Sequence, residues 1–206
     1  MKIAVFGATG RVGSNVVQLA LQAGWEIKAL VRDIPKAESL IPGAHLIEGD
    51  ATISEDVEKT IQGCDLVFSA LSTDKTDTLS KTFPLIIDHM ISHRIDRIIT
   101  VGTAGILNSR LEKGKYRYQS KESKRRSTFA AEEHQKVYQS LAKSNLDWVI
   151  LCPTYLPDGE NEGEVRYEEN FLPEGGTRIT VKDTALFAFK EIKENEFHYT
   201  RVGLSY

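Results

Sequence analysis

The stretch FGATGRVG, residues 6–13, joins an apolar run to a segment with helical periodicity. Its glycines, Gly7, Gly10 and Gly13, lie three residues apart. A glycine-rich turn between a strand and a helix lets the backbone approach a phosphate, and the N–H groups and positive dipole end of the helix then bind that phosphate. The spacing differs from G-x-G-x-x-G, so a plain turn is the alternative. The position after the first predicted strand favours a dinucleotide site.

Six apolar runs rich in Val and Ile alternate with helix-like segments. We predict strands at 2–7, 26–31, 45–50, 65–71, 97–102 and 147–152, and helices at 11–23, 34–40, 54–62, about 76–93 and about 128–144. Continuous apolar runs are typical of strands that are covered on both faces. Strand followed by helix, repeated, predicts right-handed crossovers and a three-layer α/β fold with a doubly wound parallel sheet.

The pattern changes after residue 152. Residues 153–176 are polar and acidic with Gly and Pro punctuation, which predicts a loop or an edge hairpin. The segment TRITVKDTALFAFKEIKE, residues 177–194, reads as a short strand and then a helix with Asp183 or Thr184 as its N-cap. HYTRVGL, residues 198–204, is the last strand candidate. We expect one domain over residues 1–206, to which residues 153–206 contribute a small substrate-side extension.

Composition narrows the class of protein. The chain has 206 residues, of which 41% are hydrophobic and 27% are charged, as in an ordinary globular protein. Its net charge of -3 gives it no general attraction to nucleic acid. No run reaches the ~18 apolar residues of a membrane helix, and the N-terminus does not resemble a signal peptide. Cys64 and Cys152 lie far apart, which favours two buried thiols over a disulfide or a zinc site. We expect a cytoplasmic monomer or homodimer.

The end of the second strand indicates which cofactor is bound. Arg32 and Asp33 lie about 20 residues beyond the glycine loop, where an acidic residue binds the ribose 2′-hydroxyl of NAD and an arginine accommodates the 2′-phosphate of NADP. Arg32 is nearer the strand end, and Arg11 in the loop adds a second cation. Asp33 has an alternative role as the N-cap of the helix that begins at Ile34 and Pro35. We therefore favour NADP(H) over NAD(H).

Other strand ends should face the same crevice, because ligands bind beyond the carboxyl ends of parallel strands. Asp50 and Ala51 should border the adenine, and the small residues after the fourth strand should border the ribose and pyrophosphate, unless they simply pack against helices. The predicted cofactor-binding residues are Gly7, Thr9, Gly10, Arg11, Val12, Gly13, Arg32, Asp50, Ala51, Ser69, Ala70, Leu71 and Pro153.

The motifs GATGRVG, QAGWEIKALVRD and EGDATISEDVEKTIQGCDLVFSAL together resemble the atypical short-chain dehydrogenases/reductases. Within that class the chain is similar to the NAD(P)H-binding family of flavin reductase/biliverdin reductase B and the NmrA-like proteins, over nearly its whole length. The resemblance implies a Rossmann fold and NAD(P)H binding. It also implies one of two functions, the reduction of a flavin, quinone or tetrapyrrole, or the non-catalytic sensing of NADP(H).

The residues that usually accompany this fold in carbonyl reduction are missing. Short-chain dehydrogenases that reduce ketones use a tyrosine as proton donor and a lysine four residues later that lowers its pKa. Tyr138, on the corresponding helix, is followed at that spacing by Ala142. Ketone reduction and sugar epimerisation are therefore disfavoured. A flavin or quinone can take its proton from solvent, so we predict an NADPH-dependent reductase of such a small acceptor.

The resemblance also implies that two residues line the substrate side of the nicotinamide. Where biliverdin/flavin reductases have a serine after the fifth strand and a histidine after the sixth, this chain has Thr103 and Thr154. Thr103 can still hydrogen-bond a substrate. Thr154 cannot donate a proton near neutral pH as a histidine can, so reduction of a tetrapyrrole is disfavoured. We take Thr103 and Thr154 as the catalytic candidates.

Three further features of the sequence each allow more than one interpretation. His89 and His93 stand four apart on a helix, but no third ligand is evident in the sequence, so we expect a solvated helix end and no metal. His134 faces the crevice only if its helix is phased as in the relatives. The basic segment 110–126 is either a mobile loop over the substrate site or, less in keeping with the net charge, a nucleic-acid patch. The acidic stretch after Pro157 can partner it.

Overall fold

The computed structural model describes residues 1–123, 127–159 and 163–206. Within these ranges the chain forms eight strands and six α-helices. The strands are β1 (Lys2–Phe6), β2 (Glu26–Val31), β3 (His45–Glu48), β4 (Leu66–Ser69), β5 (Arg97–Val101), β6 (Asp147–Pro153), β7 (Arg166–Glu169) and β8 (Thr200–Ser205). The helices are α1 (Arg11–Gln22), α2 (Ile34–Leu40), α3 (Ser54–Ile61), α4 (Thr78–Ser92), α5 (Phe129–Lys143) and α6 (Val181–Glu194).

The strands form one sheet in the order β3-β2-β1-β4-β5-β6-β8-β7. All neighbours pair in parallel except β7, which runs antiparallel to β8 at the edge. From β1 the chain adds β2 and β3 on one side of the sheet. It then crosses back to β4, which lies on the other side of β1, and continues outward to β5 and β6. This reversal places a crevice between the carboxyl ends of β1 and β4, where doubly wound sheets bind their ligands. The predicted doubly wound α/β fold is confirmed.

Both faces of the sheet are buried, as the continuous apolar runs predict. Alternate residues of β1 show this: Ile3 and Val5 belong to one hydrophobic cluster, and Ala4 and Phe6 belong to the other. Helices α1, α2 and α6 cover the first face, and α3, α4 and α5 cover the second. Each strand thus presents apolar side chains to helices on both sides of the sheet. The result is three layers, with the sheet between two layers of helices.

The C-terminal part differs from the sequence prediction in two places. Where a loop or an edge hairpin was predicted within 153–176, the structure has one edge strand, β7, which pairs with β8. The short strand predicted from residue 177 is wrong, because this segment forms only an isolated bridge between Tyr155 and Arg178. The predicted caps are wrong as well. The N-cap of α6 is Thr180, whose hydroxyl accepts a hydrogen bond from the Asp183 amide at 3.2 Å and another from the Tyr206 hydroxyl at 3.0 Å.

The two thiols are free and buried, as predicted. Burial raises the pKa of Cys152 to about 12 and also raises the pKa of Cys64. Both side chains therefore stay protonated at neutral pH and are poor nucleophiles. In the part of the chain that the structure describes, none of the helices has both the length and the apolar character needed to cross a bilayer.

Candidate functional site

Two of the three loop glycines are required by close backbone contacts. Gly7 has a φ of +76°, a conformation that favours glycine, and a Cβ atom there would lie 2.6 Å from the carbonyl oxygen of Ala70. A Cβ atom on Gly13 would lie 2.1 Å from the carbonyl oxygen of Gly7. The loop is thus held between the end of β4 and the first turn of α1, with no space for a side chain at Gly7 or Gly13.

The first turn of α1 is suited to bind an anion. Its N-cap is Gly10, which brings no side chain, and the turn contains no acidic residue. The leading N–H groups of a helix lack partners within the helix, and the helix dipole places partial positive charge at the same end. Arg11, the first residue of α1, pairs with Asp158 at 3.2 Å and donates a hydrogen bond to the Leu156 carbonyl at 2.9 Å. Both charged side chains are more than half exposed, so a ligand phosphate can replace Asp158 at small cost. The sequence prediction of a phosphate-binding loop therefore agrees with the local geometry.

Two adjoining cavities lie along the crevice. One of about 270 Å³ extends from the loop toward β2 and β3, and one of about 490 Å³ extends from the loop toward β5. The two cavities share a set of lining residues around the loop and the end of β4, namely Gly7, Thr9, Arg32, Leu71, Ser72 and Asp74. The crevice therefore offers one continuous, elongated site.

Most of the predicted cofactor-binding residues line this pair of cavities: Gly7, Thr9, Gly10, Arg11, Val12, Arg32, Asp50, Ala51, Ala70 and Leu71. Gly13, Ser69 and Pro153 do not. Gly13 contributes through the close packing of α1 on the loop. Ser69 is fully buried under the loop, where its hydroxyl lies 3.5 Å from the Leu71 amide. Pro153 is buried at the end of β6, next to Thr154.

The β2 end of the crevice carries several charged groups. Arg32 forms an ion pair with Asp74 at 3.1 Å, with 75% and 51% of the two side chains exposed. An exposed pair of this kind contributes only about 0–1 kcal/mol, so a ligand phosphate can replace Asp74 at small cost. The carboxylate of Asp33 accepts the Lys36 amide at 2.9 Å and caps α2. The capping role weighed for Asp33 is thus the observed one.

Sequence reasoning missed Lys36, Ser72 and Asp74. Lys36, in the first turn of α2, lines the larger cavity together with Arg11 and Arg32. Its position four residues after Arg32, in a helix that starts at the end of β2, is a signal that could have found it. Ser72 and Asp74 follow β4 in a loop whose path the sequence does not predict.

Asp50 lies in the wall of the smaller cavity, at the end of β3. Its carboxylate accepts hydrogen bonds from the Thr52 amide at 2.8 Å and the Thr52 hydroxyl at 2.7 Å. These bonds, above all the one from the amide, and the nearby positive charge of Arg32 lower the pKa of Asp50. Its carboxylate is therefore a fixed negative acceptor beside the predicted adenine position.

A third cavity, of about 500 Å³, lies beyond the ends of β5 and β6 and includes Thr154 and Arg117 in its wall. The Thr154 hydroxyl oxygen is buried and has no hydrogen-bond partner among the described residues. Thr103 lines none of these three cavities. It is 8% exposed, and its hydroxyl accepts the Gly105 amide at 3.4 Å, although the next residue, Ala104, lines the third cavity.

The crevice and the third cavity have no lining residue in common, but residues that line them are near these two threonines in the sequence. Gly102 lines the crevice and Ala104 lines the third cavity, so the chain passes from one to the other at Thr103. After β6, Thr154 lines the third cavity and Leu156 lines the crevice. In the sequence, Thr103 and Thr154, the predicted catalytic candidates, therefore lie next to residues that line the crevice or the third cavity.

The described part of the basic segment, residues 110–123, packs beside the third cavity. Its residues Arg117, Glu122 and Ser123 line the cavity wall. Arg110 pairs with Glu168 of β7, which belongs to the acidic stretch after Pro157, and Lys115 pairs with Glu112 at 2.6 Å. This placement favours the substrate-site loop over a nucleic-acid patch. The cluster of basic residues at 124–126, on which a nucleic-acid patch would most depend, lies outside the described residues.

His134 of α5 is half-buried and lines the larger cavity of the crevice, close to Gly102 and Leu156. The helix is thus phased so that this side chain faces the crevice. Tyr138, one turn further on, points elsewhere. Its ring packs edge-on against Trp148 at 5.6 Å and under the Arg201 guanidinium at 4.3 Å. The tyrosine of this helix is therefore not available as a proton donor in the crevice.

A family model described as NAD(P)H-binding matches residues 7–195, and the chain belongs to that family. The photosystem II assembly factor Ycf39 of Cyanophora paradoxa is 36% identical over 78 residues, 37% of this chain and 24% of that protein. The NmrA-like family domain-containing oxidoreductase ptmS of Penicillium ochrochloron is 34% identical over 77 residues, 35% of this chain and 23% of that protein. These matches span about a quarter of each relative's length.

Solved structures resemble the whole chain. A candidate NADH-flavin reductase from Streptococcus pneumoniae TIGR4 has a TM-score of 0.84 and 25% identity, over 100% of this chain and 99% of its own. A candidate epimerase from Bacteroides thetaiotaomicron has the same TM-score and identity, over 100% of this chain and 96% of its own. The resemblance to flavin-reductase-like and NmrA-like NAD(P)H-binding proteins is confirmed. The protein is an NAD(P)H-binding protein with an oxidoreductase-like fold.

Proposed function

We propose that the protein transfers a hydride from NADPH to a small, flat, redox-active acceptor such as a flavin or quinone. The observation that carries the proposal is the elongated crevice that begins at the glycine loop, together with a separate cavity at Thr154, beyond the ends of β5 and β6. A volume of about 500 Å³ is within the range of small-ligand pockets. The likeness to a candidate NADH-flavin reductase supports this acceptor class.

Bound NADPH would supply the hydride, and water would supply the proton that completes reduction of the acceptor. The protein's own residues would bind, orient and shield the reactants. The first turn of α1 and Arg11 would hold the pyrophosphate. Arg32 and Lys36 would hold the 2′-phosphate. Thr154 lines the third cavity and would orient the acceptor once rotation of its side chain brings the buried hydroxyl to the cavity surface. The choice of NADPH rests on these cations, because the Streptococcus protein is named for NADH.

The structure gives a reason to set the epimerase alternative aside. Sugar epimerisation in this class depends on a tyrosine that exchanges a proton with the substrate, held beside a lysine. Tyr138 is packed between Trp148 and Arg201, away from the crevice, and Ala142 stands where the lysine would be. A hydride acceptor that takes its proton from water has no need of this pair.

Replacing Thr154 with valine tests the role assigned to its hydroxyl. The substitution removes a buried hydroxyl without a partner, so the free energy of unfolding should stay the same or rise by about 1–3 kcal/mol. The KM for the acceptor should rise severalfold, while the dissociation constant of NADPH stays unchanged. Steady-state kinetics, cofactor titration and urea unfolding measure the three quantities.

Thr82→Val is the matched control for that variant. Thr82 lies in α4 and is fully buried, and its hydroxyl is likewise without a hydrogen-bond partner in the described chain. Its removal should affect the free energy of unfolding in the same direction and leave the KM for the acceptor unchanged. An unchanged KM in Thr154→Val would remove Thr154 from the acceptor site.

The proposal as a whole is tested by NADPH oxidation with a panel of FMN, FAD and quinones. Turnover with at least one acceptor, absent without protein, is the expected result. The NmrA-like alternative predicts the opposite pattern, in which NADP(H) binds tightly in one oxidation state and no acceptor is reduced.

A further inference from the structure

The second face of the sheet carries a cluster of metal-ligating side chains that the proposed function does not use. The ligand atoms of Glu58, His89 and His93 all lie within 4.8 Å of one another. Glu58 belongs to the last turn of α3, His89 to the last turn of α4, and His93 is the C-cap of α4. Sequence analysis found the two histidines but had no carboxylate to place with them. In the structure, Glu58 lies beside both histidines.

The geometry follows from the pairing of two neighbouring helices. His89 and His93 are four residues apart and share one face of α4, and Ser54 and Glu58 are four apart on α3. The two helices meet so that Ser54 Oγ lies 2.9 Å from His89 Nε2 and Glu58 Oε1 lies 3.3 Å from His93 Nε2. Four polar groups thus converge from two rigid elements.

These spacings suit a tetrahedral metal site. With metal–nitrogen and metal–oxygen bonds of about 2.0–2.1 Å, neighbouring ligand atoms of a tetrahedral zinc site lie about 3.3 Å apart. The two measured pairs are close to that value, and the remaining atoms need to move by no more than about 1.5 Å. Side-chain rotation is sufficient for this, because Glu58 is exposed and both histidines are only half-buried.

The local charge also favours a cation. The last turn of α4 lies at the cluster, and the carboxyl end of a helix carries partial negative charge. The short helix α3 contributes Ser54 from its first turn and Glu58 from its last turn. Lys59, the residue next to Glu58, instead pairs with Asp56 at 3.8 Å. In the part of the chain described, the ion-pair partner found for Glu58 is His93, whose ring can bind either a proton or a metal.

We propose that Glu58, His89 and His93 bind one Zn²⁺ ion, with Ser54 or water as the fourth ligand. A glutamate and two histidines form an established type of zinc donor set. The ion would join α3 to α4 and stabilise the fold. Its site is separate from the dinucleotide crevice. Thr78, which borders the crevice, begins α4, and His93 ends it, roughly 20 Å away at 1.5 Å per residue.

The experiment is a Zn²⁺ titration of the metal-stripped protein in competition with a chromophoric chelator, together with thermal unfolding. One equivalent of Zn²⁺ should bind, and it should raise the unfolding midpoint. Glu58→Gln and His93→Gln should each weaken binding at least tenfold and remove the thermal effect. Substitution of Co²⁺ should give the visible absorption of a tetrahedral complex, and this absorption should be lost in both variants.

His45→Gln is the matched control, because His45 is an exposed histidine on β3 outside the cluster. This variant should bind Zn²⁺ as the wild type does. Equal Zn²⁺ affinity of the wild type and the Glu58→Gln/His93→Gln double variant would overturn the proposal, as would no binding in the wild type. The readouts involve neither NADPH nor an acceptor, so this result is independent of the proposed reductase activity.

Discussion

Gly13→Ala should abolish NADPH binding and strongly destabilise the fold. The added methyl group would lie 2.1 Å from the carbonyl oxygen of Gly7 and 2.9 Å from its carbonyl carbon. Both are backbone atoms, which cannot rotate away as a side chain would. Overpacking costs about 1–3 kcal/mol where side chains give way, and we expect the upper end of that range or more here. The helix would have to move away from the loop, and its N–H groups with it.

Urea unfolding and NADPH titration measure the two effects. Gly10→Ala is a graded comparison within the same loop, because its methyl group would meet the Gly7 carbonyl oxygen at 3.1 Å and should cost less. Gly163→Ala is the silent control, since its nearest contact is an ordinary 3.8 Å. A Gly13→Ala protein with wild-type stability and wild-type NADPH affinity would contradict the loop geometry.

Arg32→Ala should weaken NADPH binding by about tenfold to a hundredfold and leave NADH binding nearly unchanged. Hydrogen bonds to charged groups are worth about 1.5–3 kcal/mol, and each 1.4 kcal/mol is a factor of ten in affinity. Arg32 lies at the carboxyl end of β2 and lines both cavities of the crevice. A guanidinium there can hold a 2′-phosphate through two hydrogen bonds, a group that NADH lacks.

The neighbouring charges support the direction of this prediction. Asp33, the acidic residue that could bind a ribose hydroxyl of NAD, instead caps α2. Lys36 adds a second cation to the wall of the larger cavity. Asp74 opposes the phosphate, so Asp74→Asn should tighten NADPH binding severalfold by removing its competition for Arg32.

Lys143→Ala is the control for the loss of one positive charge. Lys143 lies exposed in the last turn of α5, and it lines none of the cavities described. Its removal should change neither cofactor's affinity, and higher salt should weaken NADPH more than NADH in the wild type. Tighter binding of NADH than of NADPH, unaffected by Arg32→Ala, would reverse the cofactor assignment.

Sequence alone predicted the parts of the fold where local chemistry decides the outcome. The first six strands follow from continuous apolar runs, and the loop from glycines whose conformation and clearance no other residue meets. The strand predicted from residue 177 failed because its alternating pattern is also compatible with an extended approach to α6. There the Thr180 hydroxyl acts as the N-cap of α6 and accepts a hydrogen bond from the Tyr206 hydroxyl, which is distant in the sequence.

The parts of the site that sequence could not predict depend on contacts between distant residues. Asp74 meets Arg32 only because the loop after β4 folds back over the end of β2. Glu58 completes a group with His89 and His93 only because α3 and α4 pack side by side. The hydrogen bond that the Thr103 hydroxyl accepts from the Gly105 amide depends on backbone geometry that the residue pattern does not give.

The most direct measurement is the initial rate of NADPH oxidation by the purified wild-type protein, under anaerobic conditions, with FMN or a quinone as acceptor. NADPH carrying deuterium at the transferred C4 position should be oxidised more slowly than ordinary NADPH, with one acceptor reduced per NADPH consumed. Gly13→Ala should be inactive, and Thr154→Val should require more acceptor. Stoichiometric binding of NADPH without oxidation, across the whole acceptor panel, would contradict the reductase and favour a sensor of NADP(H).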